Sequence, residues 1–270
     1  MQVNILFIEL LYKLKTSVKL TFLVCGFISF TSLANTGENV DKYYEKAVIA
    51  FQEGKANTSI IHLKNALQNN DGHIPSRLLL AKAYIEIGDG SSAEVELLKA
   101  RDGNADRESL VSLFARAYLL QSKFDKVLDV TKAGDREANL EAELLIYRGQ
   151  ALIGQKLYRS ADIAFKDALL LSPNNQMALL GRAQMALHAL KPQQALNYIE
   201  TALNRIKPFI NGWILKSSIL NQMGDINGAL VAIDKALEID STHMLARLNK
   251  AMLHINLQEF SLAEPHIDFI

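Results

Sequence analysis

The stretch Leu78-Leu-Leu-Ala-Lys-Ala-Tyr-Ile85, followed by the break Ile87-Gly-Asp-Gly90, carries the pattern that decides the fold. Its apolar residues recur at the spacing of one helix face, and the glycines after it favour a turn. A similar helical pattern, Ala229-Leu-Val-Ala-Ile-Asp-Lys-Ala-Leu237, lies just after another break, Met223-Gly-Asp225. These segments predict helices joined in pairs by short turns.

The predicted helix pairs recur every 34 residues, in a frame that starts at 40 and needs no insertion or deletion. The repeats then begin at 40, 74, 108, 142, 176, 210 and 244. Position 8 is always small: Ala47, Ala81, Ala115, Gly149, Ala183, Ser217 and Ala251. Position 20 is mostly small: Ser59, Ala93, Val127, Ala161, Ala195, Ala229 and Ala263. Position 24 is mostly bulky: Leu63, Leu97, Thr131, Phe165, Ile199, Ile233 and Ile267.

These columns have a direct physical interpretation. Small residues let the two helices of a pair approach closely, and the bulky column fills the space beside them. Pro75 stands at the start of a first helix, and Pro173 and Pro208 stand just beyond second helices, where proline is tolerated. We therefore predict an all-α fold, a right-handed α-solenoid of antiparallel helix pairs over residues 40–270. The glycine and proline breaks exclude one long coiled coil.

Two places depart from the pattern. The third repeat has Thr131 and Gly134 where the other repeats carry a bulky and a small residue, so its second helix is predicted to be short. The sequence also stops at Ile267-Asp-Phe-Ile270, partway through a predicted helix and without a polar capping helix. Because solenoids need a polar end to stay soluble, we expect a truncated product or a fragment followed by further repeats.

The repeat resembles the tetratricopeptide repeat, whose signature places Trp, Leu-Gly, Tyr, Ala, Phe, Ala and Pro at fixed offsets. The sixth repeat supplies Trp213, Gly224, Ala229 and Ala236. The fourth repeat supplies Gly149, Tyr158, Ala161, Phe165, Ala168 and Pro173. The resemblance implies a scaffold that binds protein partners on the concave face lined by the first helices.

Positions 2, 5, 9, 12 and 13 of the repeat would point into that concave groove. The residues proposed to contact a partner are Tyr44, Val48, Phe51, Leu78, Lys82, Ile85, Arg116, Leu119, Ile146, Gln150, Ile153, Leu180, Gln184, Leu187, Ile214, Ser218, Leu248 and Met252. A mostly aliphatic groove suits an amphipathic helix, an extended apolar peptide or a downstream part of the same chain. The alternative is that many of these side chains simply pack between helices.

Residues 1–34 are predicted to be a signal peptide, followed by a short linker over 35–39. Three lysines between residues 13 and 19 precede the uncharged run Leu20–Ala34, which ends with small residues at Ser32 and Ala34. Its 15 residues fall short of the about 20 that a spanning helix needs. Cleavage after Ala34 would give an exported, periplasmic chain. An uncut membrane anchor and a lipid on Cys25 stay open, although Val24 is larger than a lipidation site prefers.

Composition argues against several functional classes. The sequence has 29 Lys and Arg against 29 Asp and Glu, whereas nucleic-acid binding needs a basic surplus on one face. A single cysteine excludes a disulfide framework and a Cys-based zinc site, and the six histidines lack His-Glu-x-x-His spacing. The segment Gly88-Asp-Gly-Ser-Ser92 looks like a phosphate loop but is predicted to be a turn and a helix cap. We predict no enzyme activity, cofactor, metal or catalytic residue.

The early repeats resemble one group more closely. Tyr44-Glu-Lys-Ala-Val48, Arg77–Glu94, Ala115-Arg-Ala-Tyr-Leu-Leu-Gln121 and Glu143-Leu-Leu-Ile-Tyr-Arg-Gly-Gln-Ala-Leu152 are similar to the N-terminal part of the PrsT-type tetratricopeptide proteins of the PEP-CTERM/exosortase system. That resemblance implies a role in exopolysaccharide production or export and in sorting of proteins with a PEP-CTERM tail. The alternatives are an envelope scaffold for outer-membrane protein or pilus assembly, and the scaffold part of a larger enzyme.

Overall fold

The structure, a computed structural model, describes residues 39–132, 134, 136–204 and 209–268. This part of the chain contains helices and turns but no strand, and its helices number fourteen. The predicted signal peptide, residues 35–38 of the predicted linker, Pro208 and Ile270 lie outside the described residues.

The first helix, α1, covers residues 39–52. The remaining helices are α2 Ala56–Asn69, α3 Ile74–Glu86, α4 Gly90–Asp102, α5 Arg107–Leu120, α6 Phe124–Val130, α7 Ala138–Gly154, α8 Tyr158–Leu171, α9 Gln176–His188, α10 Pro192–Leu203, α11 Ile210–Gln222, α12 Ile226–Ile239, α13 Met244–Asn256 and α14 Phe260–Ile267.

The chain forms two compact bodies, the first ending at Leu113 and the second beginning at Phe114. In the first body α2 packs on α3, and α3 packs on α4. In the second body α7 pairs with α8, α9 with α10, α11 with α12 and α13 with α14, and each pair also contacts the next. The prediction of an all-α stack of consecutive helix pairs is therefore confirmed.

The columns of small residues form the interior of this stack. All residues of positions 8 and 20 are buried in both bodies, among them Ala47 and Ser59 in the first and Ala251 and Ala263 in the second. Position 24 is also buried from Leu63 to Ile233, but Ile267 is 47% exposed. Gly134, at a position that is buried alanine in five other repeats, is exposed and lies outside any helix.

Phe165 on α8 shows why two glycines are needed in the second body. Its side chain is 1% exposed and lies between α7 and α9. A Cβ atom added at Gly149 of α7 would lie 2.7 Å from this ring, and one added at Gly181 of α9 would lie 2.5 Å from it. The absence of a side chain at both glycines thus allows a large aromatic ring to fill the junction between two repeats.

The turn between the two helices of a repeat has one backbone conformation throughout the described repeats. Position 15 takes a positive φ, between 55° and 84°, in all seven: Gly54, Gly88, Ser122, Lys156, Leu190, Gly224 and Gln258. In the fifth repeat the turn closes with a hydrogen bond from the Lys191 amide to the Ala186 carbonyl at 2.9 Å. Glycine adopts this left-handed conformation at little cost, whereas the other residues adopt it under strain.

Two local predictions are confirmed. The second helix of the third repeat, α6, has only 7 residues and ends at Val130; the hydroxyl of the next residue, Thr131, donates to the Val127 carbonyl at 2.7 Å. The segment from Gly88 to Ser92 is a turn and a cap, because the Asp89 side chain accepts a hydrogen bond from the Ser92 amide at 2.9 Å at the start of α4. Hydrogen bonding to the Ser92 side chain, and then to the Ser92 amide, holds the pKa of Asp89 below its ordinary value.

The first body contains a buried ion pair that the repeat pattern does not predict. Arg77 on α3 is 4% exposed and donates to Glu96 on α4 at 2.5 Å. Arg77 also pairs with Asp71, and Glu96 accepts from Lys99 at 3.2 Å. The guanidinium is thereby compensated inside the helix pair, which a buried charge requires.

Candidate peptide-binding groove

The first helices of the last four repeats lie side by side in the second body. Helix α9 contacts α7 and α11, and α11 contacts α13. Their common face encloses a cavity of about 400 Å³. Its lining consists of Gln150, Ile153, Phe165, Met177, Leu180, Gly181, Gln184, Asn211, Ile214, Leu215, Ser218 and Leu245.

The cavity brings together six of the residues proposed from the sequence: Gln150, Ile153, Leu180, Gln184, Ile214 and Ser218. The other proposed residues of the second body do not line it, and these are Arg116, Leu119, Ile146, Leu187, Leu248 and Met252. The proposed residues of the first body are a separate set, comprising Tyr44, Val48, Phe51, Leu78, Lys82 and Ile85.

The floor of the groove is aliphatic and well packed. Leu180 is 7% exposed and Ile214 is 6% exposed, and both belong to buried core clusters. The Phe165 ring lies at the same floor, held by the two glycines described above. These side chains present an edge to the cavity while most of their surface supports the helices.

The rim of the groove is polar and uncharged. Gln184 and Asn211 are exposed, and Gln150 and Ser218 are half-buried. The Ser218 hydroxyl donates to the Ile214 carbonyl at 3.1 Å, so its oxygen keeps acceptor capacity for a ligand. The carboxamides of Gln150, Gln184 and Asn211 form no hydrogen bond with other described residues. Each can therefore donate and accept toward a ligand.

The charge of the groove restricts the ligands that suit it. None of the described residues lining the cavity is ionisable. A carboxylate, a phosphate or an ammonium group would lose hydration on entering without gaining a charged partner. A neutral apolar segment would instead bury aliphatic side chains on the floor, and the carboxamides could satisfy its backbone groups.

Several lining residues were missed by the sequence-based set. Met177, Asn211 and Leu245 all occupy position 2, which the repeat frame already assigns to the concave face, so this signal was present in the sequence. Gly181 and Leu215 occupy position 6 and line the cavity where adjacent first helices meet. Whether position 6 reaches the cavity depends on how each first helix is rotated about its own axis. The 34-residue repeat frame does not predict that rotation.

The first body places its candidate residues at different depths. Tyr44 and Phe51 are half-buried and pack against the core cluster that contains Ala47 and Leu63. The Tyr44 ring meets the His73 ring edge-on at 5.4 Å between centroids. Val48 and Leu78 are half-buried, Lys82 is exposed and Ile85 is 6% exposed. Packing accounts for most of the surface of these aromatic rings.

The described residues contain neither a candidate metal cluster nor a helix that could span a membrane. Within residues 39–132, 134, 136–204 and 209–268, no cluster of three or more His, Cys, Asp or Glu side chains could hold a metal ion. In the same part of the chain, no helix has both the length and the hydropathy that crossing a membrane requires.

Consecutive helix pairs with a groove along their first helices define an α-solenoid, a class of repeat protein that typically binds its partners in such a groove. Residues 50–117 and 210–243 each match a family model described as tetratricopeptide repeat. A tetratricopeptide repeat protein from Parabacteroides merdae has a TM-score of 0.65 at 16% identity, covering 79% of this chain and 84% of that one. These findings support the tetratricopeptide-repeat family for this chain.

Two further similarities were found. PilW, described as a widely conserved type IV pilus biogenesis factor, has a TM-score of 0.55 at 12% identity, covering 76% of this chain and 94% of that one. Human protein O-mannosyl-transferase TMTC3 is 29% identical over 145 residues, which is 50% of this chain. This chain matches only 16% of the length of that relative. At such low identity the solved structures establish the fold alone.

Proposed function

We propose that this chain is a non-catalytic scaffold of the bacterial cell envelope that binds an apolar peptide segment of a protein partner in the groove of the second body. The observation that carries the proposal is the cavity of about 400 Å³ between first helices, with an aliphatic floor and uncharged carboxamides at its rim. Such a surface favours partners that bury aliphatic side chains and present backbone groups, either an amphipathic helix or an extended strand.

We further propose that the partners belong to PEP-CTERM/exosortase sorting and exopolysaccharide production or export. The support is the resemblance of the early repeats, including Arg77–Glu94 and Glu143–Leu152, to the PrsT-type proteins. Neighbouring genes for an exosortase and for glycosyltransferases are the expected genomic context. A gene neighbourhood without either would argue against this assignment.

Pilus assembly is the second candidate, favoured by the likeness in fold to PilW. Deleting the gene separates the two candidates. Loss of exopolysaccharide with normal pili would support the first, and loss of surface pili with normal exopolysaccharide would support the second. A third possibility, the scaffold part of a larger enzyme, would be supported by a continuous reading frame that joins these repeats to a catalytic domain.

Binding in the groove can be tested on its rim. Leu180 and Ile214 are too deeply buried for charged substitutions, which would unfold the second body. We instead expect Gln184→Arg with Ser218→Arg to weaken peptide binding at least tenfold, because two long cations would fill the cavity mouth. The probe is an array of synthetic PEP-CTERM tails and apolar helical segments from exported proteins, with affinities measured by fluorescence anisotropy.

A matched control for this variant lies on a second helix. Asn197→Arg with Thr201→Arg adds the same charge at two exposed residues of α10 that do not line the groove. The control should bind as the wild type does, and both variants should keep the wild-type helical signal in circular dichroism. Equal affinity of the rim variant and the wild type would refute binding at this site.

Export to the periplasm is also part of the proposal, based on the basic, apolar and small-residue pattern of residues 1–34. N-terminal sequencing of the protein from a periplasmic extract should begin at Asn35. A lipid-modified N-terminus at Cys25 would instead indicate a lipoprotein, and an intact N-terminus in the membrane fraction would indicate an uncut anchor.

A further inference from the structure

A second cavity of the second body, of about 720 Å³, lies between α8 and the end of α9, where the chain turns into α10. It shares no lining residue with the groove along the first helices. Its lining includes three cationic side chains, those of Arg159, Arg182 and Lys191. The one carboxylate among its described lining residues is that of Asp162. We call this cavity the basic pocket.

The carboxylate of the basic pocket is already paired. Asp162 lies 3.3 Å from Nε of Arg182, and the same guanidinium donates from Nη2 to the Tyr198 hydroxyl at 2.8 Å. Arg159 and Lys191 are exposed and form no ion pair with any described residue. Two positive charges of the pocket therefore have no counterion from the described chain, and their field attracts an anionic group.

The start of α10 adds to this positive potential. Lys191 is the N-cap residue, Pro192 follows as the first helical residue, and Gln194 lines the pocket. The Ala195 amide donates to the Lys191 carbonyl at 3.0 Å, and the Lys191 side chain provides no acceptor for the amides before it. The partial positive charge of an uncapped helix start also favours an anion.

Exposed aliphatic side chains surround the basic pocket. Ile163 lines it and is 58% exposed. Leu157 and Leu190, each next in sequence to a lining residue, are 50% and 77% exposed. Single exposed apolar residues are normal on a surface, but three beside one cationic cavity indicate a contact surface that is both basic and apolar.

The repeat pattern does not require these residues. Position 18, where Arg159 stands, is neutral or acidic in the six other repeats, and position 15, where Leu190 stands, is aliphatic in none of the others. Leu190 also combines a left-handed φ of 57° with an exposed side chain. A strained and exposed leucine costs stability, which points to a function outside the fold.

We propose that the basic pocket binds an acidic segment of a partner protein. The carboxylates of the segment lie at Arg159 and Lys191, and its aliphatic side chains contact the three exposed aliphatic residues around the pocket. Charge complementarity favours this occupant, and a small inorganic anion would leave the aliphatic rim exposed to water. The proposal goes beyond peptide binding in the groove and does not depend on it.

Fluorescence anisotropy with the full chain tests the proposal. The probe is a fluorescein-labelled peptide of about 12 residues that repeats Glu-Leu-Ser, and the comparison peptide has Gln in place of each Glu. The wild type should bind the acidic peptide at least tenfold more tightly than the neutral one. Arg159→Glu with Lys191→Glu should weaken binding of the acidic peptide at least tenfold, with an unchanged helical signal in circular dichroism.

A matched control makes the same charge change elsewhere. Lys166→Glu with Lys235→Glu alters exposed residues of α8 and α12 that do not line the pocket, so this variant should bind the acidic peptide as the wild type does. Leu190→Gly removes part of the aliphatic rim. It should weaken binding about threefold without any loss of stability, which separates contact with the peptide from a role in folding.

Three results would overturn the proposal. The first is equal affinity of the Arg159→Glu, Lys191→Glu variant and the wild type, and the second is equal affinity of the acidic and neutral peptides. The third uses vesicles that contain about 30% phosphatidylglycerol. Sedimentation of the wild type with these vesicles, lost in the charge-reversed variant and without any binding of the acidic peptide, would indicate a membrane surface instead.

Discussion

At the scale of single residues, the junction around Phe165 shows how the repeat tolerates a large core side chain. The ring is held between Gly149 and Gly181, so each glycine is needed for space and not for flexibility. Alanine normally stabilises a helix by about 1 kcal/mol relative to glycine. At Gly181 that gain competes with a Cβ atom placed 2.5 Å from a ring that is itself confined by α7.

We therefore expect Gly181→Ala to lower the free energy of unfolding by about 1–3 kcal/mol, the usual cost of overpacking. Urea denaturation followed by circular dichroism measures this change. Phe165→Leu leaves room for the new methyl group, so adding Gly181→Ala to a Phe165→Leu background should cost much less than it does alone. A Gly181→Ala variant more stable than the wild type would show that the ring can move aside.

At the scale of helices and turns, position 15 shows a backbone requirement that the residue type only partly reveals. Three repeats meet the left-handed φ with glycine, and four meet it with Ser122, Lys156, Leu190 and Gln258. A non-glycine residue pays about 1–2 kcal/mol for this conformation. Leu190 is the clearest case, because it has φ of 57° while its side chain is 77% exposed and contributes little packing.

Replacing Leu190 with glycine should raise the free energy of unfolding by about 0.5–1 kcal/mol, since relief of strain exceeds the entropy that glycine adds to the unfolded chain. Ala189→Gly, one residue earlier at φ of −79°, is the matched control and should destabilise. Thermal unfolding, measured for both variants and the wild type, compares their stabilities and tests this prediction. Similar losses in both would indicate that the turn at Leu190 is not strained.

The same elements show what a sequence can and cannot predict. The helix pairs follow from the 34-residue period, because the period is set by close packing at columns such as Ala47 and Ala161. The ion pair of Arg77 and Glu96 was not predictable, since residues 19 apart meet only when two helices take a particular rotation. The left-handed conformation of Leu190 could not be predicted from its residue type, because the helices on either side impose it.

At the scale of the whole molecule, the two compact bodies carry different parts of the candidate surface, and the cavity lies within the second body. The place of each residue in the repeat predicted which positions face the groove. It did not predict how much of each side chain is exposed there. Leu180 and Leu248 occupy the same position and differ sixfold in exposure, because within the described residues a following helix pair covers Leu180 and none covers Leu248. The division of the groove into an apolar floor and a carboxamide rim is therefore visible only in the structure.

The central claim is that the groove along the first helices of the second body is where a peptide partner binds. Hydrogen–deuterium exchange with and without the tightest-binding peptide of the array tests it most directly. Slower exchange is predicted in α9, Gln176–His188, and in α11, Ile210–Gln222, with no change in α8 or α10. Protection confined to α8 and α10, or no protection at a peptide concentration that saturates binding, would contradict the claim.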